Sequence, residues 1–330
     1  MELRQLGKSE VRVTPIAFGA WAIGGWMWGG AEESDAIDAI RASYDIGIRT
    51  IDTAPVYGFG KSEELVGKAM QGIERSSYQI LTKFGMNWES EEGEYFFDTT
   101  GNDGQPVKMY KYSSKKQVIH ECEVSLKRLK TDYIDLLQIH WPDATTPVSE
   151  TMEALQILTD QGKIRAGGVC NYSASLVEEA LKSYPIASNQ VPYSMINRGI
   201  EKDLVPQAIS NNISIIAYSP LQRGILTGKI QPGHKFNEGD TREGNTFYTE
   251  ENIRRANRML DQLRPIAEGY GATLAQLVLN WTMHQPGISC VLAGARNPSQ
   301  VKDNAGALNL SLSASDMKRI QEIADSFSLA

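Results

Sequence analysis

Along the chain, short apolar runs rich in β-branched residues alternate with longer stretches whose apolar positions recur at helical spacing, each stretch with its own capping residue. The runs are Val13–Gly19, Arg49–Ala54, Tyr78–Gly85, Tyr133–His140, Ile164–Asn171, Ala187–Val191, Ser214–Pro220 and Ile288–Gly294. Continuous apolar character, as opposed to strict alternation, is what a parallel strand buried on both faces requires. The spacing predicts helices over Ser34–Gly47, Ser114–Leu129, Pro147–Gln161, Ser173–Ser183 and Lys202–Asn211, with Ser34 as a cap and Gly47 as a stop in the first. Eight strand-plus-helix units predict a (β/α)8 TIM barrel, 1–330 as one domain. Leu3, Leu6, Val11 and Val13 around Gly7-Lys8 predict an N-terminal β-hairpin that plugs the bottom of the barrel, and Ser313–Ser326 predicts a C-terminal outer helix.

Three connections break the even spacing: Gly24–Gly30, Met86–Ser113 and Gln222–Glu250. They follow strands 1, 3 and 7, so they belong to the C-terminal face, where barrel loops supply binding and catalysis.

Composition narrows the class. A net charge of −7 opposes a nucleic-acid partner, which needs a basic stripe. No run approaches the roughly 20 apolar residues of a membrane span, and the N-terminal residues lack a signal-peptide pattern, so no membrane partner and a cytoplasmic location are expected. Cys122, Cys170 and Cys290 are an odd count at wide spacing, which suggests neither a disulfide framework nor a cysteine metal cage.

Candidate chemistry gathers at the strand ends. Strand 2 ends in Asp52 with Tyr57 just beyond, strand 3 in Lys83 and strand 4 in His140. Charged groups at the ends of apolar strands are costly unless they neutralise one another at a shared polar site. Gly60-Lys61-Ser62 imitates the end of a P-loop, but Pro55 stands where the first glycine is required. No G-x-G-x-x-G follows a strand, so a Rossmann dinucleotide site is excluded.

Asp52-Thr53-Ala54-Pro55-Val56-Tyr57-Gly58, Thr82-Lys83-Phe84 and Gln138-Ile139-His140-Trp141 resemble the catalytic blocks of the aldo-keto reductase superfamily, most closely its bacterial general-stress-type members. The resemblance spans nearly the whole chain, from Leu6-Gly7-Lys8-Ser9 to Gly294-Ala295-Arg296. It implies a small-molecule carbonyl substrate reduced with NADP(H), Tyr57 as general acid, Lys83 lowering the phenol's pKa, Asp52 holding Lys83, and His140 orienting the carbonyl oxygen. It also implies a cofactor bed. Ala20 and Trp21 border it, Asp52 contributes to it, and Asn171 and Gln190 hold the carboxamide. Tyr218 stacks on the nicotinamide, and Ser219, Pro220, Leu221, Gln222, Arg223, Gly224 and Lys229 meet the pyrophosphate under Arg242. Gly294, Ala295, Arg296, Gln300 and Asn304 take the adenosine end, with Arg296 on the 2′-phosphate.

Two departures from the family pattern are Cys170 before Asn171, in place of serine, and Asp303, where glutamate is common. Trp26, Met27, Trp28, Trp88 and Trp141 are the expected substrate walls. Two rivals remain at this point. One is a cofactor-binding regulatory or redox-sensing barrel with little turnover. The other is a metal-dependent sugar isomerase, for which Asp52 and His140 alone are too few ligands, so no metal is expected.

Overall fold

The computed structural model describes residues 2–26, 32–236, 240 and 242–330. Eight parallel strands close a barrel in chain order: β1 (Ile16–Gly19), β2 (Thr50–Asp52), β3 (Gln79–Phe84), β4 (Ile134–Ile139), β5 (Ile164–Cys170), β6 (Ser188–Pro192), β7 (Ser214–Tyr218) and β8 (Ile288–Gly294), which pairs back onto β1. The expected (β/α)8 barrel is therefore observed. All six residues of β4 are buried, because the barrel interior covers one face and the helices the other.

The helices are α1 (Glu33–Ile46), α2 (Lys61–Ala69), α3 (Lys115–Leu129), α4 (Val148–Asp160), α5 (Ala174–Leu181), α6 (Leu204–Asn211), α7 (Glu250–Gly269), α8 (Leu274–Met283), α9 (Pro298–Gly306) and α10 (Ala314–Asp325). None is long and apolar enough to cross a membrane. Ser114, Ser173 and Ser313 cap α3, α5 and α10 as expected, and Gly47 stops α1 at φ 101°. Ser34 does not cap α1. The helix starts one residue earlier, with Glu33 and Asp35 in its first turn, where carboxylates complement the helix dipole.

The first strand also begins later than the apolar run suggests. Arg12–Val13 pairs antiparallel with Arg4–Gln5, so Val13 belongs to the hairpin. Leu6, Val11 and Val13 pack with Ala17, Leu81, Leu136, Ala166 and Ile216, which makes the hairpin a floor. Gly7 is required at this seam. At φ +53° it approaches so closely that a Cβ would stand 2.6 Å from the carbonyl oxygen of Ala187.

The connection after β3 is not an irregular loop: Met86–Asn87, Glu94–Thr100 and Pro106–Lys111 form a three-stranded antiparallel sheet. After β7 the chain makes short 3-10 turns at Gln222–Thr227 and Thr246–Tyr248 before α7.

Two carboxylates tie the outside of β3 to the helices. Thr82 Oγ1 donates to Glu63 Oε1 of α2 at 2.7 Å, and Gly85 N donates to Glu121 Oε2 of α3 at 3.0 Å. Burial pushes the Glu121 carboxyl up to about 8, against the lowering effect of the Gly85 and Gln117 bonds. A carboxyl raised in the folded state contributes stability below its unfolded pKa, near 4.3, and loses it as pH climbs through about 8. Wild type should thus lose melting temperature between pH 5.5 and 8.5 by more than Glu121→Gln does. Thermal melts of both at the two pH values check this; parallel losses would mean that Glu121 does not titrate in that window.

Candidate active site

The barrel's register sets the site. Gly19 pairs with Asp52, Asp52 with Leu81, and Lys83 with Gln138, so Asp52 and Lys83 stand on neighbouring strand ends. Lys83 Nζ donates to Asp52 Oδ1 at 2.7 Å and to Thr53 O at 2.8 Å, and Gln190 Nε2 donates to Asp52 Oδ2 at 2.8 Å. Both carboxylate oxygens are thereby engaged. Lys83 is 1% exposed and Asp52 2% exposed, so the ion pair is dry. Burial is the largest single effect and works against the ammonium, but Asp52, Tyr57 and Cys170 together outweigh it and hold the Lys83 pKa above the usual lysine value.

Tyr57 lies in the turn after β2, with Lys83 Nζ 4.9 Å from its ring centroid. His140 meets the phenol edge-on at a centroid distance of 5.7 Å, and Trp21 stacks on it at 5.9 Å. This turn needs glycines. Gly58 has φ +68°, and a Cβ there would stand 2.0 Å from Gly24 O.

The acidity of Tyr57 corrects the expectation from sequence. Lys83 does lower the phenol's pKa, but burial is the larger effect, and the phenol is pushed up to about 12. Tyr57 therefore carries its proton throughout the neutral range. Burial, reinforced by the charge of Lys83, pushes His140 well below the usual histidine value, so its imidazole is neutral.

On the facing side, Asn171 takes a left-handed conformation at φ 58°, donates Nδ2 to His140 O at 3.0 Å and accepts from Tyr218 OH at 2.9 Å. After β7 come Ser219, Gln222 and Arg223 at φ 55°, 44° and 46° and Gly224 at φ 100°. Such strain persists only where its surroundings enforce it, commonly at ligand clamps. Here Ser194 Oγ donates to Gln222 Oε1 at 2.9 Å, Tyr248 OH to Gln222 O at 2.7 Å, and Arg242 to Arg223 O at 3.1 Å. Arg242 also grips Asp240 through two nitrogens, and the Arg223 guanidinium lies 5.2 Å from the Trp21 ring centroid.

After β8, Gln300 Oε1 accepts from Arg296 N at 2.8 Å and Asn304 Nδ2 donates to Gly294 O at 3.1 Å, both from one face of α9. Arg296 is half-buried and Gly294 exposed, whereas Ala20, Pro220 and Ala295 are buried. Lys229 stands exposed beyond the β7 turn, with its backbone N–H bonded to Thr227 Oγ1.

Among the expected walls, Trp26, Trp88 and Trp141 join one aromatic cluster beside Tyr57; Met27 and Trp28 lie outside the described residues. The cluster also holds Phe59, Phe96 and Phe97, which sequence reading missed. The alternation of Tyr95, Phe97 and Thr99 ahead of an Asp103-Gly104 turn was the available signal for a hairpin. Among the described residues, no group of three or more His, Cys, Asp or Glu is arranged to hold a metal ion.

The model of the aldo/keto reductase family matches residues 15–325. The chain is 36% identical over 325 residues to an aldo-keto reductase of Bacillus subtilis (strain 168), covering 98% of this chain and 93% of the relative. It is 35% identical to the NADH-specific methylglyoxal reductase of Escherichia coli (strain K12), covering 97% of each. The solved glycerol dehydrogenase of Gluconobacter oxydans superposes with a TM-score of 0.87 at 35% identity, covering 97% of this chain and 94% of that one.

Proposed function

The chain belongs to the aldo/keto reductase family, and from that premise we propose that it reduces the carbonyl group of aldehydes, ketones or sugars to an alcohol with NADP(H), using Tyr57 as the general acid. The observation that carries this reading is the dry Lys83–Asp52 pair set against a neutral, buried phenol. A proton donor must hold its proton at working pH and have a nearby charge that stabilises the anion left behind. Tyr57 meets the first condition through burial, and Lys83 the second.

NADPH, when bound, supplies the hydride that the carbonyl carbon requires. The residues suit such a group. A strained turn at 219–224, held by Ser194, Tyr248 and Arg242, brings the guanidinium groups of Arg223 and Arg242 together, which suits a pyrophosphate. Asn171, Gln190 and Tyr218 would border the nicotinamide with Ala20 and Trp21, while Gly294–Arg296, Gln300 and Asn304 would take the adenosine. Gln190 has a second task that sequence did not suggest, since its amide nitrogen is committed to Asp52. As the carbonyl oxygen gains charge, Tyr57 passes it the phenolic proton, neutral His140 directs the oxygen toward that donor, and Lys83 stabilises the phenolate until it is reprotonated. NADPH oxidation measured against a panel of aldehydes, ketones, aldoses and keto-polyols tests the assignment, and acceleration by none of them would remove it.

Cofactor choice has its own test, because the Escherichia coli relative is NADH-specific. Arg296, on the loop entering α9, is the guanidinium that would distinguish the two by pairing with a 2′-phosphate. Arg296→Ala should weaken NADPH about tenfold or more relative to NADH, since a charge-assisted contact is worth about 1.5–3 kcal/mol. The ratio of dissociation constants reads this out. Equal weakening of both cofactors would give Arg296 a structural task only.

A further inference from the structure

The sheet at Met86–Lys111 is attached to the site at two points far from its own strands' roots. Asn102 Nδ2, at its tip, donates to Gly58 O at 2.7 Å, next to Tyr57, and Thr99 Oγ1 accepts from Trp26 Nε1 at 3.0 Å. Between these latches its aromatic face joins the mouth. Phe97 stacks on Trp26 at 6.2 Å and 16°, Phe96 lies 4.9 Å from Phe97 and 5.4 Å from Trp141, and Trp26 continues to Phe59 at 6.1 Å. All five rings are half-buried and pack against the buried cluster that contains Tyr57.

The same segment is acidic: residues 86–113 hold six carboxylates against two lysines. Both lysines are engaged, Lys108 with Glu91 at 3.1 Å and Lys111 with Glu94 at 2.8 Å, the latter also lying 5.1 Å from the Phe96 ring centroid. An anion entering here would lose water against aromatic faces and approach a negative field.

We infer that this inserted sheet is a specificity wall that selects uncharged carbonyl compounds with an apolar, ring-sized body over those bearing a carboxylate, with Phe96 and Phe97 as the specificity-determining side chains. The inference rests on the reductase reading above and adds the class of substrate to it. Asn102 and Thr99 are positioning residues, since they touch the walls and the Tyr57 turn and not the reacting atoms.

The test compares benzaldehyde, 4-carboxybenzaldehyde and propanal with NADPH, in wild type and in a Phe96→Ala/Phe97→Ala double variant. A para carboxylate scarcely alters the reactivity of the aldehyde, so a difference in kcat/KM reports the wall. Wild type should prefer benzaldehyde to its carboxylate by about tenfold or more, with the gap closing as salt is added. The double variant should raise KM for benzaldehyde about tenfold, the loss of roughly 1.4 kcal/mol of aromatic contact. Its KM for propanal should change less than about twofold, and its NADPH dissociation constant should hold. A Phe96→Leu/Phe97→Leu variant, which keeps the apolar volume, should show the same selective loss in weaker form and covers the case in which the alanine variant fails to fold. Equal use of the two benzaldehydes by wild type, or variants that alter KM for benzaldehyde and propanal alike, would remove the wall and leave the reductase standing. Reduction of none of the three by wild type with either NADPH or NADH would remove both.

Discussion

Replacing Tyr57 with phenylalanine is expected to lower kcat for carbonyl reduction by about 10²–10⁴-fold, the range for losing a positioned proton donor, while the dissociation constant for NADPH stays nearly unchanged. The ring's packing survives the change: Trp21 on one side and His140 edge-on touch carbons that phenylalanine retains. Only the hydroxyl leaves. Single-turnover rates with a saturating aldehyde, beside a fluorescence titration of the cofactor, separate the two effects. Retention of most of the wild-type rate would take the proton chemistry away from Tyr57.

Lys83→Met is expected to be comparably severe, with a second consequence that Tyr57→Phe lacks. Lys83 provides the charge that draws the phenol's pKa down against burial, so its loss leaves a still weaker acid. It also leaves Asp52 buried with Gln190 as its remaining partner. Breaking a buried pair in this way typically costs about 3–5 kcal/mol of stability. Both a fall in kcat of about 10² or more and a clear drop in melting temperature should therefore appear. If only the melting temperature falls, and the folded protein turns over normally, the pair is structural and does not tune the phenol.

The barrel was legible because parallel strands covered on both faces leave near-continuous apolar runs, as in Ile16–Gly19, and because Asp52, Lys83 and His140 interrupt that character where the runs stop. Caps such as Ser114 and Ser173 were legible for the same local reason. The Met86–Ser113 segment was not, because its strands mix half-buried aromatics with acidic residues and resemble a surface insertion until Trp26 and Trp141 are brought against them. The bond from Gln190 to Asp52 joins residues 138 apart, a proximity no local pattern encodes. The net acidity of Tyr57 could not be read either. Sequence supplies the sign of the Lys83 contribution, but the outcome depends on how deeply the ring is buried.

The most direct test of the account is a single turnover in which wild-type enzyme, in excess over bound NADPH, is mixed with a carbonyl substrate in the absence of any other reductant. The account predicts that nicotinamide absorbance is lost with one alcohol formed per NADPH consumed, and that the enzyme lacking the Tyr57 hydroxyl retains its NADPH under the same conditions. Cofactor that binds tightly but stays reduced in the wild-type enzyme, whatever carbonyl is offered, would contradict it and favour a barrel that binds nicotinamide without turning it over.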